Sequence, residues 1–156
     1  MAPSSTSRST TTPDDAAAGT QGRLHHLELW VADLAVLDSW AWLLGELGYQ
    51  QRDAWADGRS WSGKGGEYLV IESGPDVRRE RHDRLRPGLN HLAFWAGSAA
   101  DVDRLVAAGS DHGWNSLFAD RYPFAGGPDH YAGYLENGDG FEVELVARQR
   151  AGVGDR

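Results

Sequence analysis

Two phrases with the same alternation of side chains, His26-Leu27-Glu28-Leu29-Trp30-Val31 and His91-Leu92-Ala93-Phe94-Trp95-Ala96, punctuate the chain, the second beginning 65 positions after the first. Alternation with period two predicts a β-strand in each, with the histidine, the third residue and the tryptophan on one face. A helical pattern follows both. Leu34, Leu37, Ala41, Leu44 and Leu47 recur at helical spacing between Asp33, a suitable N-cap, and Gly48, a suitable stop, which predicts a helix over Leu34–Leu47. After the second phrase, Ser98-Ala99-Ala100-Asp101 has the form of a capping box and opens a helix carrying Val102, Leu105 and Val106 that stops near Gly113. Three shorter strands are predicted behind each helix: 49–55, 59–62 and 67–73 in the first half, and 115–119, 131–136 and 141–147 in the second. The Asn137-Gly138-Asp139-Gly140 run forms the turn between the last two.

Each half therefore reads as βαβββ. The expected architecture is α+β, with two such modules forming an open, partly closed mixed β-barrel and the helices outside. One domain is expected over 23–148, divided into module one at 23–75, a connector at 76–87 and module two at 88–148. Residues 1–22 are rich in Ser, Thr, Ala, Pro and Gly with almost no large apolar side chain, so a disordered tail is expected there, with a C-terminal tail at 149–156.

If the apolar face of each strand packs on its module's helix, the opposite faces line a shared concave surface. Parity then turns His26, Glu28 and Trp30 inward from the first strand and Tyr68, Val70 and Glu72 from the fourth. The second module sends in His91, Ala93 and Trp95, then Glu142, Glu144 and Val146. An imidazole and a glutamate thus stand on each module's inner face. Two imidazoles with one or two carboxylates on separate strands suit a divalent ion such as Zn, Ni, Co, Mn or Fe(II), with positions left open for substrate. His130 ends a Gly/Pro-rich loop from Arg121 and is placed to overhang the same cavity. The Tyr122–Gly127 part of that loop has the composition of a lid. Trp30 and Trp95, in phase with the histidines, with Tyr68, Tyr131 and Arg121, complete the candidate substrate pocket.

Composition narrows the chemistry. The absence of cysteine excludes disulfides, thiolate metal sites and a cysteine nucleophile, so any metal has nitrogen and oxygen ligands. A net charge of −8 disfavours nucleic acid and anionic membranes as partners. No run approaches the roughly 20 apolar residues of a membrane span, and the N-terminus shows no apolar segment of signal-peptide type, so a cytoplasmic location is expected. Arg78, Arg79, Arg81, Arg84 and Arg86 oppose the overall charge. They read as a solvated connector with local ion pairs or, alternatively, as an anchor for a substrate anion.

Over about Leu24–Ala147 the chain resembles the vicinal-oxygen-chelate superfamily of glyoxalases, bleomycin-resistance proteins and extradiol dioxygenases. The resemblance rests on His26-Leu-Glu-Leu-Trp-Val-Ala-Asp33-Leu34, the Leu-Leu-Gly-Glu-Leu-Gly-Tyr49 helix exit, His91, and Tyr134-Leu-Glu-Asn-Gly-Asp-Gly-Phe-Glu-Val-Glu144. It implies one divalent ion per site, held by His26, His91 and Glu144, with Glu72 as a fourth ligand in the glyoxalase manner. It also implies a small-molecule substrate and a homodimer. A metal-dependent isomerase or lyase acting on a small oxygenated metabolite is expected, with Glu72, Glu144 or Glu28 as base. An Fe(II) ring-cleaving dioxygenase with His130 and Tyr134 as acid/base helpers is the alternative enzyme. A metal-free antibiotic- or metabolite-binding protein is the alternative outside catalysis.

Overall fold

A computed structural model describes residues 22–148. The expected tails fall outside the described residues, apart from Gly22. The order of elements is β1 (His26–Trp30), α1 (Leu37–Glu46), β2 (Gln50–Trp55), β3 (Gly58–Ser62), β4 (Tyr68–Glu72), β5 (His91–Trp95), α2 (Ala99–Gly109), β6 (Trp114–Leu117), β7 (Ala132–Asn137) and β8 (Glu142–Val146). Both halves are βαβββ. They form two four-stranded sheets, ordered β1-β4-β3-β2 and β5-β8-β7-β6, in which β1–β4 and β5–β8 are parallel and the other neighbours antiparallel. The sheets are mixed and remain separate, with no closed barrel among the described residues.

Local chemistry explains the boundaries. The first helix starts later than its apolar spacing predicts, because Asp33 accepts from the Ala35 amide and shapes a 3₁₀ turn over Leu34–Val36 before α1 begins. Ser98 and Asp101 cap α2 reciprocally, and Gly113 takes a left-handed conformation (φ 81°) that ends the helical segment. In the β7–β8 turn, Asn137 Oδ1 accepts from the amides of Asp139 and Phe141 at 3.1 and 3.0 Å.

The two modules share one core, although each helix also packs on strands of its own module. Trp40 of α1 is fully buried and meets Trp114 of β6 edge-on, with ring centroids 5.0 Å apart, and Phe141 at 6.1 Å. Trp114 in turn donates from its indole nitrogen to the Ser39 carbonyl at 2.9 Å. The first helix therefore serves both sheets. Trp61 is buried as well, Trp42 stacks on His112, and Trp55 stays partly exposed on β2.

A second tie joins the modules. The buried Asp139 accepts through Oδ2 from the Ala32 amide at 2.7 Å, across 107 residues. Burial raises the Asp139 pKa, and this outweighs the Ala32 hydrogen bond and the charges of Arg81 and His82. An acid whose pKa is higher folded than unfolded disfavours the fold once ionised. Stability from this group accordingly falls as pH rises from the ordinary carboxyl value of 3.8 through the raised folded value. Asp139→Asn keeps an acceptor for Ala32 and removes that step. Urea titrations are expected to show the variant gaining on the parent between acid and neutral pH, whereas Asp139→Ala loses about 1–3 kcal/mol at neutral pH by stranding a buried amide.

The connector arginines are tied down rather than pooled. Arg84 pairs with the buried Glu142 at 2.8 Å, Arg81 with Glu136 at 3.0 Å, and Arg86 with Asp83 at 3.3 Å. The connector is thereby strapped to module two.

Candidate active site

The functional centre lies on the inner face of the second sheet. Register pairs His91 with Glu142, Ala93 with Glu144 and Tyr134 with Glu144, which brings His91, Glu144 and Tyr134 to one face. His91 Nε2 stands 3.2 Å from Glu144 Oε2. His130 Nε2 lies 2.5 Å from Glu144 Oε1, and the Tyr134 hydroxyl donates to that same oxygen at 2.5 Å. Glu144 is only 6% exposed. Burial, the largest influence on its carboxyl, raises the pKa. The hydrogen bonds from Tyr134 and His130 and the charge of the two imidazoles outweigh it, so the group is held below its ordinary value as an anion. Tyr134 moves the other way, raised by burial and then by Glu144, and remains a proton donor.

The loop bearing His130 is fixed from α2. Asp103 accepts from the hydroxyls of both Tyr122 and Tyr131, the latter at 2.6 Å, and the residue before Tyr131 is His130. A methyl group at Gly126 would lie 2.5 Å from the His130 ring and 2.8 Å from the Tyr134 hydroxyl, so glycine is needed for this loop to lie against the site. Arg121 sits over the Phe118 ring at 4.7 Å, near enough for its charge to lower the Tyr134 pKa.

The first sheet does not complete this centre within one chain. His26 faces its own module, stacked on Tyr68 at 4.9 Å with Nδ1 2.9 Å from that of His25. Glu28 accepts from the Trp30 indole at 2.6 Å, and Trp30 is 51% exposed. Among the described residues no three His, Asp or Glu side chains stand in position to hold a metal ion. The four ligands expected from the resemblance, His26, His91, Glu144 and Glu72, are thus not assembled.

Register also corrects the place of Glu72. His26 pairs with Tyr68, Glu28 with Val70 and Trp30 with Glu72; in the second sheet His91 pairs with Glu142, Ala93 with Glu144 and Trp95 with Val146. Superposing the modules by their histidines puts Val70, not Glu72, at the position of Glu144. Glu72 lies four strand residues beyond the level of His26, about 13 Å at ~3.3 Å per residue, too far for both to reach one ion. Parity puts the glutamate on the inner face and the resemblance makes it a ligand, but parity is blind to a shift of two.

Two wall residues escaped the sequence reading, Asp129 and Arg148. Both line a cleft of about 500 Å³ with Trp95, His130, Tyr131 and Val146. The parity that turns Glu144 and Val146 inward turns Arg148 inward too, and that signal was legible. Asp103, on the outer helix, left no comparable signal.

Comparisons with known proteins agree with this architecture. Residues 25–134 match the family model described as Glyoxalase/Bleomycin resistance protein/Dioxygenase superfamily. YqjT of Bacillus subtilis (strain 168), an uncharacterised protein, is 46% identical over 127 residues, covering 80% of this chain and 98% of YqjT. The crystal structure of a glyoxalase candidate from Bacillus halodurans is 44% identical with a TM-score of 0.77, covering 82% of this chain and 97% of that one. The fosfomycin resistance protein FosX of Listeria monocytogenes, solved with Mn(II) and sulfate, shares the fold alone: 18% identity, TM-score 0.56, and 83% and 93% of the two chains covered. By sequence match and by fold, the chain belongs to the glyoxalase/bleomycin resistance protein/dioxygenase superfamily.

Proposed function

We propose that this chain is a divalent-metal-dependent enzyme of lyase or isomerase type acting on a small oxygenated metabolite. The observation that carries the reading is the buried anionic Glu144 with the His91 imidazole at 3.2 Å, a nitrogen and an oxygen donor on adjacent strands. That donor chemistry fits Mn, Fe(II), Co, Ni or Zn, and FosX, which shares the fold, was solved with Mn(II). A third donor is supplied by His26 of a second copy, whose exposed β1 face with Trp30 covers the open face of module two in a homodimer. When bound, the ion supplies Lewis acidity toward adjacent oxygens of the substrate.

The chain's own residues do the rest. His130 Nε2 lies within hydrogen-bond distance of Glu144 Oε1 and lines the cleft, where it exchanges a proton with substrate. Tyr134, kept protonated, donates a hydrogen bond to the anion.

One observation favours a second reading, an Fe(II) ring-cleaving dioxygenase. With Val70 where a fourth ligand would stand, His26, His91 and Glu144 make a two-histidine, one-carboxylate set that leaves a face open. Oxygen uptake on catechols by the Fe(II)-loaded protein distinguishes this from redox-neutral chemistry.

Elemental analysis of protein purified without chelator, followed by calorimetric titration with Mn(II), tests the proposal. His26→Ala is expected to weaken binding by about tenfold or more, and Glu72→Gln to leave it within twofold. A protein that takes up none of the five metals sinks both enzyme readings and leaves a metal-free binding protein.

A further inference from the structure

The cleft beside His130 contains a cation that the network around Glu144 does not use. Arg148 follows the end of β8, and its backbone is tied to the segment after β5: Ala96 donates to the Val146 carbonyl at 2.9 Å, and Arg148 donates to the Gly97 carbonyl at 2.7 Å. These bonds hold Arg148 at the wall of the cleft, with Trp95, His130 and Val146. Its guanidinium carbon lies 5.8 Å from the Trp95 ring centre. Arg52, Arg59, Arg81, Arg84, Arg86 and Arg104 are each paired with a carboxylate; among the described residues Arg148, like Arg23, Arg78, Arg79 and Arg121, is paired with none, and of these five it is Arg148 that lines the cleft. In a chain of net charge −8, an arginine left without an acid at the mouth of a cleft is notable. The carboxylate that shares the cleft, Asp129, already has a partner.

The wall beside this cation is an indole. Trp95 is 63% exposed, far more than an aromatic side chain that packs a core, and it separates the cleft of about 500 Å³ from a second of about 340 Å³. Arg148 borders both, and Lys64 stands in the second. A flat π-face beside a planar guanidinium matches a flat ring bearing an acid group: the ring stacks on the indole while the carboxylate takes the guanidinium in a bidentate grip.

We propose that Arg148 and Trp95 form a specificity subsite for a planar carboxylate, an aromatic or conjugated acid. Its acid group sits on Arg148, its ring lies on Trp95, and its oxygen-bearing edge points toward His130 and Glu144. The orientation of that edge rests on the proposed function of the site; the anion subsite itself does not. The charge of Arg148 selects the substrate and the indole aligns it.

The test compares 2,3-dihydroxybenzoate with catechol, the same vicinal oxygens with and without the acid group, by calorimetry on metal-free protein and again with Mn(II). The acid is expected to bind at least tenfold more tightly than catechol, and the difference to shrink with added salt. Arg148→Gln is expected to abolish the preference while leaving catechol affinity unchanged, Arg148→Lys to retain part of it, and Trp95→Ala to weaken both ligands. Equal affinity for the two in the parent protein, or a preference that survives Arg148→Gln, overturns the subsite. If the acid is preferred but no metal binds, the subsite stands and the metal-dependent reading falls. If metal binds and catechol equals the acid, the outcome is the reverse.

Discussion

Glu144→Gln is expected to lower affinity for Mn(II) about a hundredfold or more and to remove catalytic turnover, with the fold retained. The carboxylate meets His91 with one oxygen and His130 and Tyr134 with the other, so no neighbouring acid can replace it. An amide keeps the shape and one acceptor for Tyr134 but loses the charge, and a neutral oxygen is a poor partner for a dication. Calorimetric titration reads the loss, and circular dichroism with thermal unfolding checks the fold. The charge also has an acid signature. Because the folded pKa lies below the ordinary carboxyl value of 4.5, the stability it contributes is complete above that value and is lost as pH falls through the lower folded one. The glutamine variant lacks this step, so its unfolding midpoint is expected to fall less steeply with acid than that of the parent. Unchanged Mn(II) affinity in the variant would falsify the assignment of Glu144 as a ligand.

Trp114→Ala carries the largest expected loss of stability. The indole is fully buried, packs edge-on against Trp40 and bonds to the backbone of α1, so truncation opens a cavity at the seam between modules. About 3–5 kcal/mol is expected for the deletion, a large fraction of a small domain's total. Trp114→Phe retains most of the apolar volume and loses the Ser39 bond, for about 1–2 kcal/mol. Urea denaturation followed by tryptophan fluorescence and circular dichroism measures both. The two probes should remain coincident, since a shared core unfolds as a unit; separate transitions would show that the modules hold themselves up independently.

The elements of the fold were legible because each has its own local signal. Apolar spacing marks both helices, the Ser98–Asp101 box marks the start of α2, and alternation marks the strands. What alternation does not carry is register. It gave the faces of β4 and β8 correctly, yet Glu72 and Val70 share a face, and only the pairing with β1 shows which stands level with Glu144. His91 and Glu144 were found by parity and by the resemblance, and they meet because their strands are adjacent and parallel. His130 was found from its position at a loop end, but the clamp that fixes that loop depends on Asp103, 27 residues upstream on a helix, and no local pattern announces it. Likewise, nothing in the first half tells Trp40 that its neighbours are Trp114 and Phe141.

That last contact bears on how the protein is made. A ribosome delivers α1 well before Trp114 and Phe141, and Ala32 waits for Asp139 from the last strand connection. During synthesis the first module therefore exists with a bare indole and an unpaired amide, and it is finished only when nearly the whole chain has emerged. The duplication that made two similar halves has left neither of them self-sufficient.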